Sequence, residues 1–158
     1  MSDSIRHEHF KKILFCTDFS DNADRAFAFA VHAAMRNPDS ELHLLHVIPE
    51  PPAQFWKGYI YEADEDVDAR ARREIDEKLA GTYRPRVPDG MPLVIAMRIG
   101  EAGQKIIEYA EEQDVDLVIV GRQGAGAMGK ILFGNVTGRV LRKVHCPVLV
   151  IPPPAPQA

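Results

Sequence analysis

Residues Gly121 to Val136 read G-R-Q-G-A-G-A-M-G-K-I-L-F-G-N-V and follow at once on the apolar run Leu117-Val118-Ile119-Val120. Such a run reads as a strand buried on both faces of a parallel sheet. Glycines at the carboxyl end of that strand let backbone N–H groups approach an anion. A helix beginning just beyond adds the positive end of its dipole. Phosphate is the anion this chemistry suits, so the stretch points to a nucleotide-binding site.

Three glycine patterns overlap there. Gly124, Gly126 and Gly129 satisfy G-x-G-x-x-G, which in a dinucleotide site needs an acid about 20 residues on to hold a ribose hydroxyl. That place falls in Cys146 to Ile151, which holds no acid. Gly124 to Lys130 fits G-x-x-x-x-G-K, but Ile131 stands where a P-loop has the Ser or Thr that binds Mg²⁺. The third pattern is Gly121, two residues, Gly124, nine residues, Gly134, then the small polar Asn135.

This last spacing resembles the nucleotide-binding signature of the universal stress protein family, in its ATP-binding branch. Lys12-Ile13-Leu14-Phe15-Cys16-Thr17-Asp18-Phe19-Ser20 is similar to the family's first strand and its aspartate. Leu42 to Val47 is similar to the second strand, Asp116 to Gly121 to the fourth, and His145 to Val150 to the fifth. The likeness runs in order from about residue 11 to 152. It implies a single α/β domain, an open, doubly wound parallel sheet of five strands in the order 3-2-1-4-5 with helices on both faces. Residues 1–10 and 153–158 are expected as tails.

The elements that must position the glycines are legible in the pattern itself. Ile13 to Thr17 reads as strand 1, and Ser20 can cap a helix on which Ala23, Phe27, Ala30, Val31 and Ala34 recur at helical spacing. Leu42 to Ile48 is strand 2. Pro49 to Glu62, with three prolines and four aromatic residues, reads as an irregular excursion. Val67, Ala71, Ile75 and Leu79 stand four apart on a charged helix, where Asp66–Arg70, Asp68–Arg72 and Glu74–Lys78 are favourably oriented pairs. Leu93 to Ile99 is strand 3, and Ala102, Ile106, Ile107 and Ala110 line the inner side of a further helix. A helix through Val136, Val140 and Val144 leads to strand 5. Alternating strands and helices argue for a parallel sheet.

Composition narrows the functions open to such a domain. At 158 residues and 46% hydrophobic content the chain can bury a substantial core. A net charge of −4 removes the electrostatic case for nucleic acid. No apolar run approaches the 18 residues of a membrane span, and the polar stretch Met1 to His9 does not read as a signal peptide. The expected compartment is the cytoplasm. Two cysteines make no disulfide framework, and the family's strand order, which the likeness implies, puts strand 4 between Cys16 and Cys146, so they are expected to stay unbridged. His43 and His46 have opposite strand parity and point to different faces, so the histidines make no site.

The candidate site residues follow. Thr17 and Asp18 end strand 1 beside strand 4, at the switch point where open α/β sheets bind ligands. The resemblance places the Asp18 carboxylate at the ribose and metal side of the nucleotide; a turn or capping aspartate is the alternative. It places the backbone of Val47 at the adenine edge, and Gly121 and Gly124 under ribose and phosphates. Gly134, Asn135 and Val136 are placed at the phosphates. Asn135 departs from the Ser or Thr usual in ATP-binding members: it keeps the N–H and an amide donor but has no hydroxyl. Arg122 and Lys130 are the cations of the loop, able to neutralise phosphate or simply to be solvated.

The resemblance thus implies an ATP-binding regulator or sensor of the cytoplasmic stress response, with Mg or Mn accompanying the phosphates and Asp18 reaching that metal. Little turnover is expected, since no side chain in Gly121 to Thr137 is an obvious base. An ATP-hydrolysing or nucleotide-transferring enzyme stays open, as does a non-binding member acting as a protein–protein regulator. The apolar run Val148, Leu149, Val150 and Ile151 lies on a sheet edge in the family's order, which implies a homodimer through strand 5. The downstream protein partner is unassigned.

Overall fold

Ile13, Leu14 and Phe15 are all fully buried, which an extended segment achieves only when both faces of its sheet are covered. The computed structural model describes residues 9–49, 65–122 and 135–156. In chain order these form β1 (Lys12–Thr17), α1 (Asp21–Arg36), β2 (Glu41–Ile48), α2 (Glu65–Tyr83), a 3-10 turn (Arg84–Arg86), β3 (Leu93–Ile99), α3 (Ala102–Glu112), β4 (Leu117–Gly121), α4 (Asn135–Lys143) and β5 (Val148–Ile151). The strands make one five-stranded sheet in the order β3-β2-β1-β4-β5, as expected, with every pairing parallel.

Register sorts the side chains onto two faces. Phe15 is level with Leu44 and Ile119, and Leu14 with His43 and Val118. The first row packs with Ile13, Leu42 and Leu117 against Ala23, Ala26, Phe27 and Ala30 of α1 and Leu79 and Tyr83 of α2. Rings of Phe15, Phe27 and Tyr83 meet with centroids 4.7–5.8 Å apart, contacts worth about 0.5–1.5 kcal/mol each beyond burial. The second row packs with Leu45 and Val120 against Ile106, Tyr109 and Ala110 of α3 and Val140 of α4.

Local chemistry sets the helix ends. Ser20 Oγ accepts from Ala23 N at 3.2 Å, capping α1 as its position predicts. Glu101 caps α3 by accepting from the N–H groups of Gly103 and Gln104 at 3.0 and 2.8 Å. On α2 the pairing differs from the sequence expectation. Glu74 is engaged by Arg70 at 3.3 Å, while the Lys78 ammonium stands 4.1 Å above the Phe19 ring. A tertiary aromatic face wins over a solvated carboxylate one turn away, because an exposed ion pair gains little. The other two expected pairs involve Asp66 and Asp68, whose side chains lie outside the described residues, as does the Pro49 to Glu62 excursion beyond Pro49.

His43 and His46 do point to opposite faces: His43 Nδ1 meets Tyr109 OH at 2.7 Å, and His46 packs on Phe19. Both cysteines are free. No helix among the described residues is long and apolar enough to cross a membrane. β5 is an edge strand that begins at Val148, with Pro147 just before it. The Pro147 carbonyl still accepts from Val118 N at 3.0 Å.

Candidate functional site

The chain leaves β1 toward β2 and leaves β4 toward β5, so the two adjacent central strands diverge at their carboxyl ends. At that divergence lies a cleft of about 220 Å³. Cys16, Thr17 and Asp18 line it from the end of β1, Leu45 and Val47 from β2, and Val120 and Gly121 from β4. Ala102 and Ile106 of α3 and Val136 and Thr137 of α4 complete the wall. Its sides are mostly aliphatic, suited to a flat apolar ring, and its α4 rim carries the N–H groups a helix leaves unpaired.

Five of the residues singled out from sequence therefore converge: Thr17, Asp18, Val47, Gly121 and Val136. Arg122 does not line the cleft. Its N–H donates to Ile151 O at 2.7 Å, and its half-buried side chain leaves Nε without a partner among the described residues. Asn135 is the first residue of α4, in position to offer its backbone N–H. Gly124, Lys130 and Gly134 lie outside the described residues.

Asp18 is exposed. Its Oδ1 accepts from Ser20 N at 2.9 Å, so it does shape the turn into α1. That leaves Oδ2 uncommitted among the described residues, a hard oxygen of the kind Mg²⁺ or Mn²⁺ takes. The described residues hold no cluster of three or more His, Cys, Asp or Glu able to bind a metal on their own. A cation here would need ligands from a bound phosphate.

Val47 sits where the ladder opens. Successive residues of an extended strand turn their polar groups to opposite sides. Glu41 N bonds Lys11 O on the β1 side, and Ile48 O bonds Gly100 N on the β3 side. Val47 therefore faces β1, whose last rung is Thr17 opposite His46. Its carbonyl lies past that rung, at the cleft.

Gly121 is a glycine because of close approach, not φ; among the described glycines only Gly90 and Gly100 have left-handed φ, at +82° and +146°. A Cβ at Gly121 would lie 3.0 Å from Asn22 Nδ2 and 3.1 Å from Asn22 O. The Asn22 amide uses that space to donate to Arg122 O and, at 3.1 Å, to Ile151 O. One side chain at the start of α1 thereby ties the ends of β4 and β5.

The α3 and α4 walls are tied as well: Arg139 of α4 bonds Glu101 at 2.6 Å. Partial burial opposes ionisation of Glu101, but the Gln104 and Gly103 N–H groups and the Arg139 guanidinium outweigh it and hold the carboxyl below its ordinary range. Cys16 also lines the cleft, and burial pushes its thiol well above its ordinary range, which favours the neutral form.

Sequence reasoning missed Thr137. It is only 4% exposed, lines the cleft from the first turn of α4, and has no hydrogen-bond partner for its hydroxyl among the described residues. The run Gly134-Asn135-Val136-Thr137 carried the signal. A hydroxyl absent at Asn135 is present two residues on, at Thr137.

A parallel sheet of this order, with its cleft at the β1–β4 divergence, defines a doubly wound α/β domain with a switch-point ligand site. The chain belongs to the universal stress protein family, whose model matches residues 9–152. It is 30% identical to universal stress protein MJ0531 of Methanocaldococcus jannaschii, over 92% of this chain and 84% of that one. The solved structure of MJ0577 from the same organism superposes with a TM-score of 0.72 at 28% identity, covering 92% of this chain and 98% of that one. A universal stress protein from Archaeoglobus fulgidus, solved in complex with dAMP, has the same fold with a TM-score of 0.59. It is 21% identical over 90% of this chain and 98% of its own.

Proposed function

We propose that this chain is an ATP-binding regulator or sensor of the cytoplasmic stress response, holding nucleotide in the β1–β4 cleft with little or no turnover. The observation that carries the reading is the convergence of three unlike groups on one cleft. These are the Asp18 carboxylate oxygen and the Val47 carbonyl, both uncommitted among the described residues, and the first turn of α4 with Val136 and Thr137. An adenine ring suits the aliphatic walls and the Val47 main chain. Phosphates suit the α4 N-terminus and the glycines Gly124 and Gly134. Mg or Mn accompanying the phosphates would find an oxygen ligand in the Asp18 carboxylate. Adenine nucleotide is also what the Archaeoglobus fulgidus relative was solved with.

Low turnover is favoured by the lack of an obvious base among the side chains of Gly121 to Thr137 and by Ile131 in place of a metal-binding hydroxyl. Homodimerisation through β5 accompanies this reading: the strand is an apolar sheet edge with Leu149 40% exposed. A second reading, a protein–protein regulator with an empty cleft, draws its support from Asn135 alone.

Native mass spectrometry of the purified protein, followed by calorimetric titration of the nucleotide-stripped chain with Mg-ATP, tests the assignment. Saturable one-site binding, weakened by Asp18→Ala and stronger for ATP than for AMP, is expected. No heat with Mg-ATP decides for the empty-cleft regulator. Steady hydrolysis on the order of 1 per second or faster, lost in Asp18→Ala, decides for an enzyme.

A further inference from the structure

The turn that presents Asp18 is held from behind by a helix that does not line the cleft. Thr17 shares strand parity with Ile13 and Phe15, so its side chain lies on the α1 and α2 face. There its Oγ1 is 2.5 Å from the hydroxyl of Tyr83, the last residue of α2, and the same oxygen accepts from Phe19 N at 3.0 Å. The Thr17 carbonyl accepts from His46 Nδ1 at 2.9 Å. Phe19, just beyond Asp18, has φ +63°, a left-handed conformation that favours glycine and persists only where its surroundings over-determine it. His46 and Tyr83 pack on its ring, with centroids 4.8 and 6.3 Å away, and the Lys78 ammonium caps it. Asp18 is thus bracketed by two residues whose conformations are set through α2.

We propose that Tyr83 is a positioning residue for Asp18, clamping the β1–α1 turn through the Thr17 hydroxyl so that the carboxylate faces the ribose and metal side of a bound adenine nucleotide. The proposal rests on the ATP reading above. Tyr83 is 1% exposed and does not itself line the cleft, so it acts through Thr17 and Phe19. The molecule supplies its own control. Tyr109, 2% exposed, bonds His43 at 2.7 Å on the opposite face, with no connection to Asp18.

The test is a double-mutant cycle read by calorimetric titration with Mg-ATP, on wild type, Tyr83→Phe, Asp18→Ala and the double variant. Tyr83→Phe is expected to raise Kd by between about twofold and tenfold, the span of one ordinary hydrogen bond's net contribution. In the Asp18→Ala background it is expected to change Kd no further, because the group it positions is gone. Tyr109→Phe is expected to lower thermal stability and leave Kd alone. Thr17→Val, which removes the other end of the clamp, should reproduce the Tyr83→Phe loss and stands in if that variant does not fold. Equal Kd in Tyr83→Phe and wild type overturns the role. So does the same factor in both Asp18 backgrounds, or an equal loss in Tyr109→Phe. A wild-type chain that takes up no Mg-ATP overturns the nucleotide reading and this role with it. Wild-type binding indifferent to Tyr83 overturns this role alone.

Discussion

Replacing Gly121 with alanine puts the close packing of α1 on the sheet ends to a quantitative test. The new methyl group would stand 3.0 Å from Asn22 Nδ2, 3.1 Å from its carbonyl oxygen and 3.3 Å from its carbonyl carbon. Comfortable separations are about 3.5–4.0 Å, so the first turn of α1 must retreat by roughly half an ångström. The Asn22 amide then loses its grip on Arg122 O and Ile151 O, at about 1 kcal/mol for each hydrogen bond. Lower entropy of the unfolded chain returns about 0.4–1 kcal/mol. The net expectation is a loss of about 1–2 kcal/mol, or about 2–4 °C in Tm per kcal/mol for a domain of this size. Gly81 is the internal contrast. It lies in α2, and a methyl group added there would meet nothing within 4 Å, so Gly81→Ala should stabilise by up to about 1 kcal/mol. Urea denaturation followed by circular dichroism reads both, with an unchanged m-value confirming that the native state is being compared. A Gly121→Ala protein as stable as wild type would refute the close-approach argument.

Two further outcomes follow from the walls and the edge. Glu101→Gln should cost about 0.5–1 kcal/mol at neutral pH, the low end because the carboxylate is half exposed and its pair with Arg139 is screened. The folded-state carboxyl titrates below its ordinary value of 4.5, so its contribution is complete above that pH and disappears as pH falls through the lower folded value. Unfolding curves of the two proteins should accordingly converge in acid, and a gap that persists at pH about 2, far below the ordinary carboxyl range, would contradict the cap. Leu149→Lys should yield monomers in sedimentation without loss of helix signal, because Leu149 is exposed on the edge strand. Val148 and Val150 are the wrong positions for that charge, since both pack against the α3–α4 core. An unchanged sedimentation coefficient for Leu149→Lys would remove β5 as the interface.

The apolar runs around Phe15, Leu44 and Ile119 announced buried parallel strands because a strand covered on both faces has no polar side to show. The same runs do not state their neighbours; the order with β1 and β4 at the centre came from likeness to a family, and pairing confirmed it. Asp18 and Gly121 could be placed at strand ends from the local pattern, Val47 and Val136 were added by likeness to the family, and the fold brings all four to one cleft. Boundaries were less legible: the likeness to the fifth strand begins at His145, but β5 starts at Val148, since Pro147 has no N–H to give the ladder.

What the sequence determined by itself was a periodicity and a set of backbone-permissive residues, both properties of neighbours along the chain. Partners were decided only by the tertiary structure, because they depend on which surfaces the packed helices bring together. Lys78 has Glu74 one turn away, yet its ammonium stands over Phe19, 59 positions earlier in the chain. Gly121 reads in sequence as freedom for a turn, and in the fold it is room for Asn22. Thr17 reads as a cleft residue, but its hydroxyl is turned away from the cleft onto Tyr83, 66 residues distant. A strand's alternation assigns a side chain to a face, and only the helix laid on that face determines what the side chain meets there.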